Sequence, residues 1–330
     1  ILVSILLIPI VNVPPSVSAV NEVVTFPDPN LEAVIRDAIS KPSGDIYQSD
    51  LDGLTVISAF NKNIDDLTGL EHCSSLITLN LDCNPISDIS ALSGLINLDT
   101  LILSQSQVTD FSALSVLTGL GTLSLAYNQI SDISMLSSLT NLWQLDIGHN
   151  QISDISILAG LPNLGMLHLY NNQIADISAL SSLSSLSSLD LDSNQITDIS
   201  VLSGLSNLNT LYIGGNHISD ISALSSLTKL LYLGLNDNSI SNIAPLAGLT
   251  KLKLLNLSGN HISNITAIDT LVNLIDLRLG NNLLSDISKL SLLTNVEYLD
   301  LAGNSISNID AISNLAKLRT LYLDNNHNLL

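Results

Sequence analysis

The sequence predicts an α/β solenoid: a right-handed superhelix with a parallel β-sheet on its concave face, 3₁₀-like turns on its convex face and a helical cap at its N-terminus. Three observations carry that expectation. Asparagine recurs every 22 residues, at Asn84, Asn128, Asn150, Asn172, Asn194, Asn216, Asn238, Asn260, Asn282, Asn304 and Asn326, with Ser106 in the single gap of that register. Around each position a period-two pair of Leu or Ile gives way to apolar residues three apart. Ahead of the repeats, Leu31, Val34, Ile35, Ala38 and Ile39 have the spacing of one helix face.

Taken in chain order, residues 1–13 (ILVSILLIPIVNV) are an apolar run too short to span a bilayer, broken at Pro9 and followed by Val17-Ser18-Ala19, a small-residue cleavage pattern. Residues 1–19 are therefore expected to be a signal peptide that lacks its initiator Met and basic start, which implies a secreted or cell-surface protein. No Cys follows the cleavage pattern, which argues against a lipoprotein anchor. Residues 20–53 are expected to form the cap. Asp28-Pro29-Asn30 opens a helix of about ten residues, and Lys41-Pro42-Ser43-Gly44 stops it. A helix laid over the first coil closes a core that would otherwise be open.

Residues 54–330 are then about 12 to 13 coils. In the coil containing Leu142, Leu145, Ile147, Asn150, Ile152, Asp154, Ile155, Leu158 and Leu161, the L-x-L step puts both apolar side chains on one side of a short strand. The later steps of three suit a tight turn packing back across the core. No coil buries its leucines alone, so coils stack at about 4.8 Å each into a rod on the order of 60 Å long. The chain stops at Asn328-Leu329-Leu330, partway through a coil, so a C-terminal cap is expected to be missing.

Two polar columns accompany the repeat. A buried carboxamide where the chain leaves the strand can satisfy the backbone groups of that corner, so the Asn column is read as structural. Asp88, Asp110, Asp132, Asp154, Asp176, Asp198, Asp220 and Asp286 share a register with Asn242, Asn264 and Asn308. Asp and Asn both cap a following turn, whereas a calcium ladder would lose charge compensation at each Asn, so this column is read as N-caps. Cys73 falls on an inward Leu slot and Cys83 at the end of a strand, which makes a disulfide between them unexpected.

This pattern resembles the leucine-rich repeat, and in particular the 22-residue class of the bacterial internalins, from about Leu54 to the end. The segment from Phe26 to Cys73 resembles the helical cap of internalin-like proteins, with Lys62 in the Asn slot of a degenerate first coil. The resemblance implies a module that binds another protein through its concave strand face.

Composition narrows the partner. Thirty acids against 10 Lys and Arg give a net charge of −20, which opposes binding to nucleic acid or to an anionic membrane. Between residues 63 and 228 there is no Lys or Arg, so a basic patch on a partner would be steered to the middle coils. The candidate partner-binding face comprises the outward positions and aromatics Tyr127, Trp143, Asp146, His168, Tyr170, Asp190, Asp192, Tyr212, Tyr232, Tyr298 and Tyr322. Tyrosine also has a high strand propensity, and a dense negative charge also solubilises a Leu-rich rod. Histidines are scattered through different coils without a nucleophile motif, a metal-ligand spacing or a phosphate loop, so neither an enzyme nor a cofactor is expected. Other readings stay open: a structural spacer, surface-layer or adhesion scaffold; the recognition part of a larger enzyme; and a resemblance to intracellular phosphatase regulators with the same period.

Overall fold

The computed structural model describes residues 21–326. The signal-like segment and His327 to Leu330 lie outside them. A short antiparallel ribbon pairs Val23–Val24 with Ile46–Tyr47 and encloses the helix Pro29–Ala38. After a single helical turn at Gln48–Leu51, the strand Val56–Ser58 begins a 13-stranded parallel sheet that ends at Thr320–Tyr322, with every strand beside its neighbour in sequence. Each strand pairs with the next at an offset of 22, so Leu145, Leu167, Leu189 and Leu211 are in direct register. The offset equals the repeat length, and chemically like positions therefore form continuous columns.

Opposite the sheet, each coil turns back through a 3₁₀ helix such as Ser156–Gly160, with Leu158 buried against the core. The parallel sheet, 3₁₀ turns and column of Leu and Ile are the solenoid the sequence predicts. Its core is fully desolvated: Leu145, Leu167, Leu189 and Leu211 are each 0% exposed.

The Asn column links the coils. The Asn194 Nδ2 donates to the carbonyls of Leu191 and Asp192 in its own coil and of Leu169 in the coil before, at 3.0 to 3.3 Å, while its Oδ1 accepts the Ile174 N–H at 3.0 Å. Asn172, Asn216, Asn238, Asn260, Asn282 and Asn304 repeat this bracket. Ser106 breaks it: its N–H and hydroxyl both turn to Asn128 Oδ1, and Leu81 O receives only the Asn84 amide of its own coil. Ser106→Asn is expected to restore the bracket and to raise the unfolding free energy by about 1 kcal/mol, the net worth of a hydrogen bond or two. A denaturant midpoint that does not rise would show that the amide is not what joins these two coils.

Three features differ from the sequence reading or were not visible to it. The Asp column caps its turns from one residue further out than an N-cap. Asp88 Oδ1 accepts the N–H of Ser90, the first residue of its 3₁₀ turn, with Ile89 between them, and Asn242 and Asn264 do the same for Ala244 and Thr266. The carbonyl of Asn and the carboxylate of Asp serve alike. The residue before each ladder position is left-handed, with φ between 51° and 69° from Asn61 to Asn325. Asn, Asp and Gly tolerate this conformation, but Gln105, Tyr127 and His149 bear it at a cost of about 1 to 2 kcal/mol each. Cys83 lies at the same corner, and its thiol donates to Gln105 Oε1 at 2.9 Å, while Cys73 is buried in the core; both thiols are free.

The N-terminal helix is joined to the first coil through one buried carboxylate. Asp28 Oδ1 accepts the N–H groups of Asn30 and Leu31 at the helix start, and Oδ2 accepts those of Asp65 and Asp66 across the interface. Leu31 and Ile35 pack beneath, both fully buried.

Candidate interaction face

On each strand the residues flanking the central Leu face the concave side, and the parallel register lines them up. Asp146, His168, Asp190 and Tyr212 form one row across four adjacent coils. Asp192, two residues beyond Asp190, stands in the next row beside Tyr170. His168 Nδ1 lies 3.8 Å from Asp146 Oδ2.

The carboxylates are braced by the main chain. Asp146 accepts the Gly148 N–H, Asp190 the Asp192 N–H, and Asp192 reaches across to the Gly214 N–H of the following coil. Half-burial and mutual repulsion shape the titration of Asp190 and Asp192. Desolvation, followed by the Asp190 charge, pushes Asp192 up to about 6. Desolvation also raises Asp190, whereas the Asp146 carboxylate raises His168 above the ordinary imidazole value in spite of its burial. Tyr170 is raised too, by burial and then by the Asp146 charge, and it stays a neutral phenol.

Aromatic rings wall one side of this row. Tyr127 and His149 stack with ring centroids 4.4 Å apart, and Tyr170 meets Tyr127 edge-on at 6.3 Å. Two glycines make room for this. The Tyr170 ring lies directly on the Gly148 main chain, where any Cβ would collide with it, and the Tyr212 ring covers Gly234 in the same way, 2.7 Å from where a Cβ would sit.

The predicted face is thus divided. Asp146, His168, Tyr170, Asp190, Asp192 and Tyr212 come together, with Tyr127 beside them. Tyr127 is not on a strand, however: it occupies the left-handed corner after Thr122–Ser124, so its ring closes the rim. Trp143, 46% exposed, precedes the strand Gln144–Asp146 and sits on the opposite edge of the sheet. Tyr232 begins the strand next to Tyr212 and is exposed. Tyr298 and Tyr322 form a second cluster four coils on, 5.6 Å apart, with Arg278 stacked 4.9 Å over Tyr298 and paired to Asp276. The sequence reading joined neither His149 nor Gly148 to the site. The available signal was a small residue one coil before an outward aromatic, as with Gly148 and Tyr170 or, one coil after, Gly234 and Tyr212.

The repeated strand, corner and 3₁₀ turn, with its Asn ladder and outward-facing rows, define a solenoid recognition scaffold. The chain belongs to the leucine-rich-repeat family: sequence profiles described as Leucine Rich repeats (2 copies) match residues 118–270 in overlapping windows and 294–330, and a Leucine Rich repeat profile matches residues 72–93. Within that family it is internalin-like. The crystal structure of an internalin, InlF of Listeria monocytogenes, is 35% identical, covers 90% of this chain and 95% of its own, and superposes with a TM-score of 0.81. The functional domain of InlJ from the same species, which includes a cysteine ladder, is 25% identical over 92% of this chain and 73% of its own, with a TM-score of 0.80. Internalin H of Listeria monocytogenes is 38% identical over 66 residues, a match spanning 19% of this chain and only 12% of that protein.

An internalin-like repeat is a scaffold for protein–protein interaction, and no helix among the described residues is long and apolar enough to cross a membrane.

Proposed function

We propose that this protein is a secreted or cell-surface recognition module, with residues 20–53 as its cap and residues 54–330 as its repeats, that binds a partner protein through the concave middle of the sheet. The partner presents a basic segment. The observation that carries this reading is the row Asp146, His168, Asp190 with Asp192 beside it, half-buried among Tyr127, Tyr170 and Tyr212 in a stretch without a single Lys or Arg. An incoming Lys or Arg side chain would meet preformed carboxylates and, at the rim, the faces of aromatic rings, so it gains charge pairing and cation–π contact at sites already largely desolvated.

The test is capture of native surface proteins on the immobilised chain, compared with a Tyr170→Ala, Asp190→Asn, Asp192→Asn variant at low and high salt. A partner that is salt-sensitive and lost in the variant supports the reading. Partners retained by the variant place binding elsewhere, and the absence of any partner favours a spacer.

Acid is expected to weaken this binding. A cationic ligand prefers ionised Asp192, and that carboxylate passes from ionised to neutral as pH falls through about 6. The Asp146 carboxylate favours the protonated form of His168, which adds a positive charge beside the site in acid. Between pH 7.5 and pH 5 the affinity should fall about tenfold, the equivalent of one pKa unit of coupling. Anisotropy or calorimetric titration at the two pH values measures it, and equal affinities would exclude Asp192 from the contact.

A further inference from the structure

The acidic character of the chain has a local exception. Five of its ten Lys and Arg residues, Lys229, Lys251, Lys253, Lys317 and Arg319, lie where the chain enters the strands of the last coils. The 22-residue register makes this a stripe. Lys229, Lys251 and Lys317 occupy a column nine residues before the ladder, and Lys253 and Arg319 the column seven before it. With coils about 4.8 Å apart, the stripe runs on the order of 20 Å along one edge of the sheet.

Within the stripe, Lys251, Lys253 and Lys317 line an open groove of about 390 Å³ whose floor includes Leu231 and Ile275, with Glu297 in its wall. Ile275 is 42% exposed. Lys229 and Lys317 donate only to neutral carboxamides, those of Asn207 and Asn295, each at 2.7 Å. Arg319 pairs with Glu297 at 3.2 Å. The side-chain ammonium groups of Lys251 and Lys253 have no hydrogen bond or ion pair among the described residues. Two unneutralised ammonium groups beside exposed apolar surface, in a chain of charge −20, are what an acidic ligand would complete.

We propose that this edge groove is a second docking surface, which takes an extended acidic peptide segment of a partner protein: its apolar side chains rest on Ile275 and Leu231, and its carboxylates meet Lys251, Lys253 and Lys317. The apolar floor and the Glu297 carboxylate select a peptide with interspersed charge over a uniform polyanion, which would gain nothing from the first and be repelled by the second. An extended strand advances about 3.3 Å per residue, so carboxylates about four residues apart bridge the three coils, on the order of 14 Å, between the Lys251 and Lys253 pair and Lys317. The groove is independent of the concave cluster, opposite to it in charge and on the edge of the sheet.

The experiment is a fluorescence-anisotropy titration of the full chain into a fluorescein-labelled peptide Glu-Glu-Leu-Glu-Gly-Leu-Glu-Glu, at low and high salt, with the thermal midpoint of each variant as the control for folding. Salt-sensitive binding is expected, weakened at least tenfold by Lys251→Glu with Lys253→Glu, at least threefold by Ile275→Ser, and not at all by Asp190→Asn with Tyr170→Ala. The proposal is overturned if the wild-type chain does not bind the peptide, or if the charge-reversed variant binds it as well. It is equally overturned if a peptide with Ser for Leu binds as tightly, or if heparin competes undiminished in the Ile275→Ser variant, since either result describes a general polyanion surface.

Discussion

Asn194→Ala is expected to cost about 3 kcal/mol, because it leaves the buried Ile174 N–H without its acceptor and takes one of two amide donors from each of the buried carbonyls of Leu169 and Leu191. The amide is 7% exposed and holds Leu169, Leu191 and Ile174, so the loss falls on the joint between two coils and not on either alone. In a solenoid whose coils touch only their neighbours, a weakened joint divides the cooperative unit. Urea unfolding of this variant should therefore show a lower midpoint and a broader transition. An unchanged midpoint would refute the ladder as a source of stability. Asn150→Ala is the internal comparison: Asn150 makes the same bonds but is only half-buried, so water can replace part of what is lost.

Asp28→Ala is expected to cost a similar amount, about 3 kcal/mol, and to release the N-terminal helix first. Four backbone N–H groups converge on that carboxylate, two from each side of the interface. Burial by itself would raise its pKa, but the four donors outweigh burial and hold it below the ordinary 3.8. Its contribution is consequently present at all pH values above the unfolded carboxylate range and disappears as pH falls through the lowered value. Limited proteolysis between residues 39 and 45 should accelerate in the variant at pH 7 and in the wild type only in strong acid. Proteolysis of the variant at the wild-type rate would show that Leu31 and Ile35 seat the helix without Asp28.

What could be read beforehand follows from which positions repeat. Leu145, Leu167 and Leu189 announce the strands because the core accepts little else there, and Asn172 or Asn194 announces the corner because a carboxamide alone supplies both donors and an acceptor. Asp28-Pro29-Asn30 announces the helix through local capping chemistry. The left-handed corner was invisible for the opposite reason: Cys83, Gln105, Tyr127, His149 and Ser193 share a conformation and no chemistry. Tyr127 was accordingly assigned to the strand face when its ring belongs to the rim. The second oxygen of Asp28, which serves Asp65 and Asp66 more than 35 residues away, leaves no trace in local spacing. The lysine edge was present in the sequence as a near balance of charge after residue 228. Only the register of the coils turns that balance into a stripe.

The uniform offset of 22 between neighbouring strands makes the molecule editable in whole units. Excising residues 151–172 would rejoin Asn150 to Gln173 with every Leu and Asn column still continuous, and the strand Gln144–Asp146 would then pair with Ser188–Asp190. Asp146 would face Asp190 directly, with the intervening imidazole gone. A duplication or loss of one unit during replication would thus leave the scaffold standing while it rewrites the order of side chains along the concave face, so that ligand preference can change in a single genetic step without passing through an unfolded intermediate form.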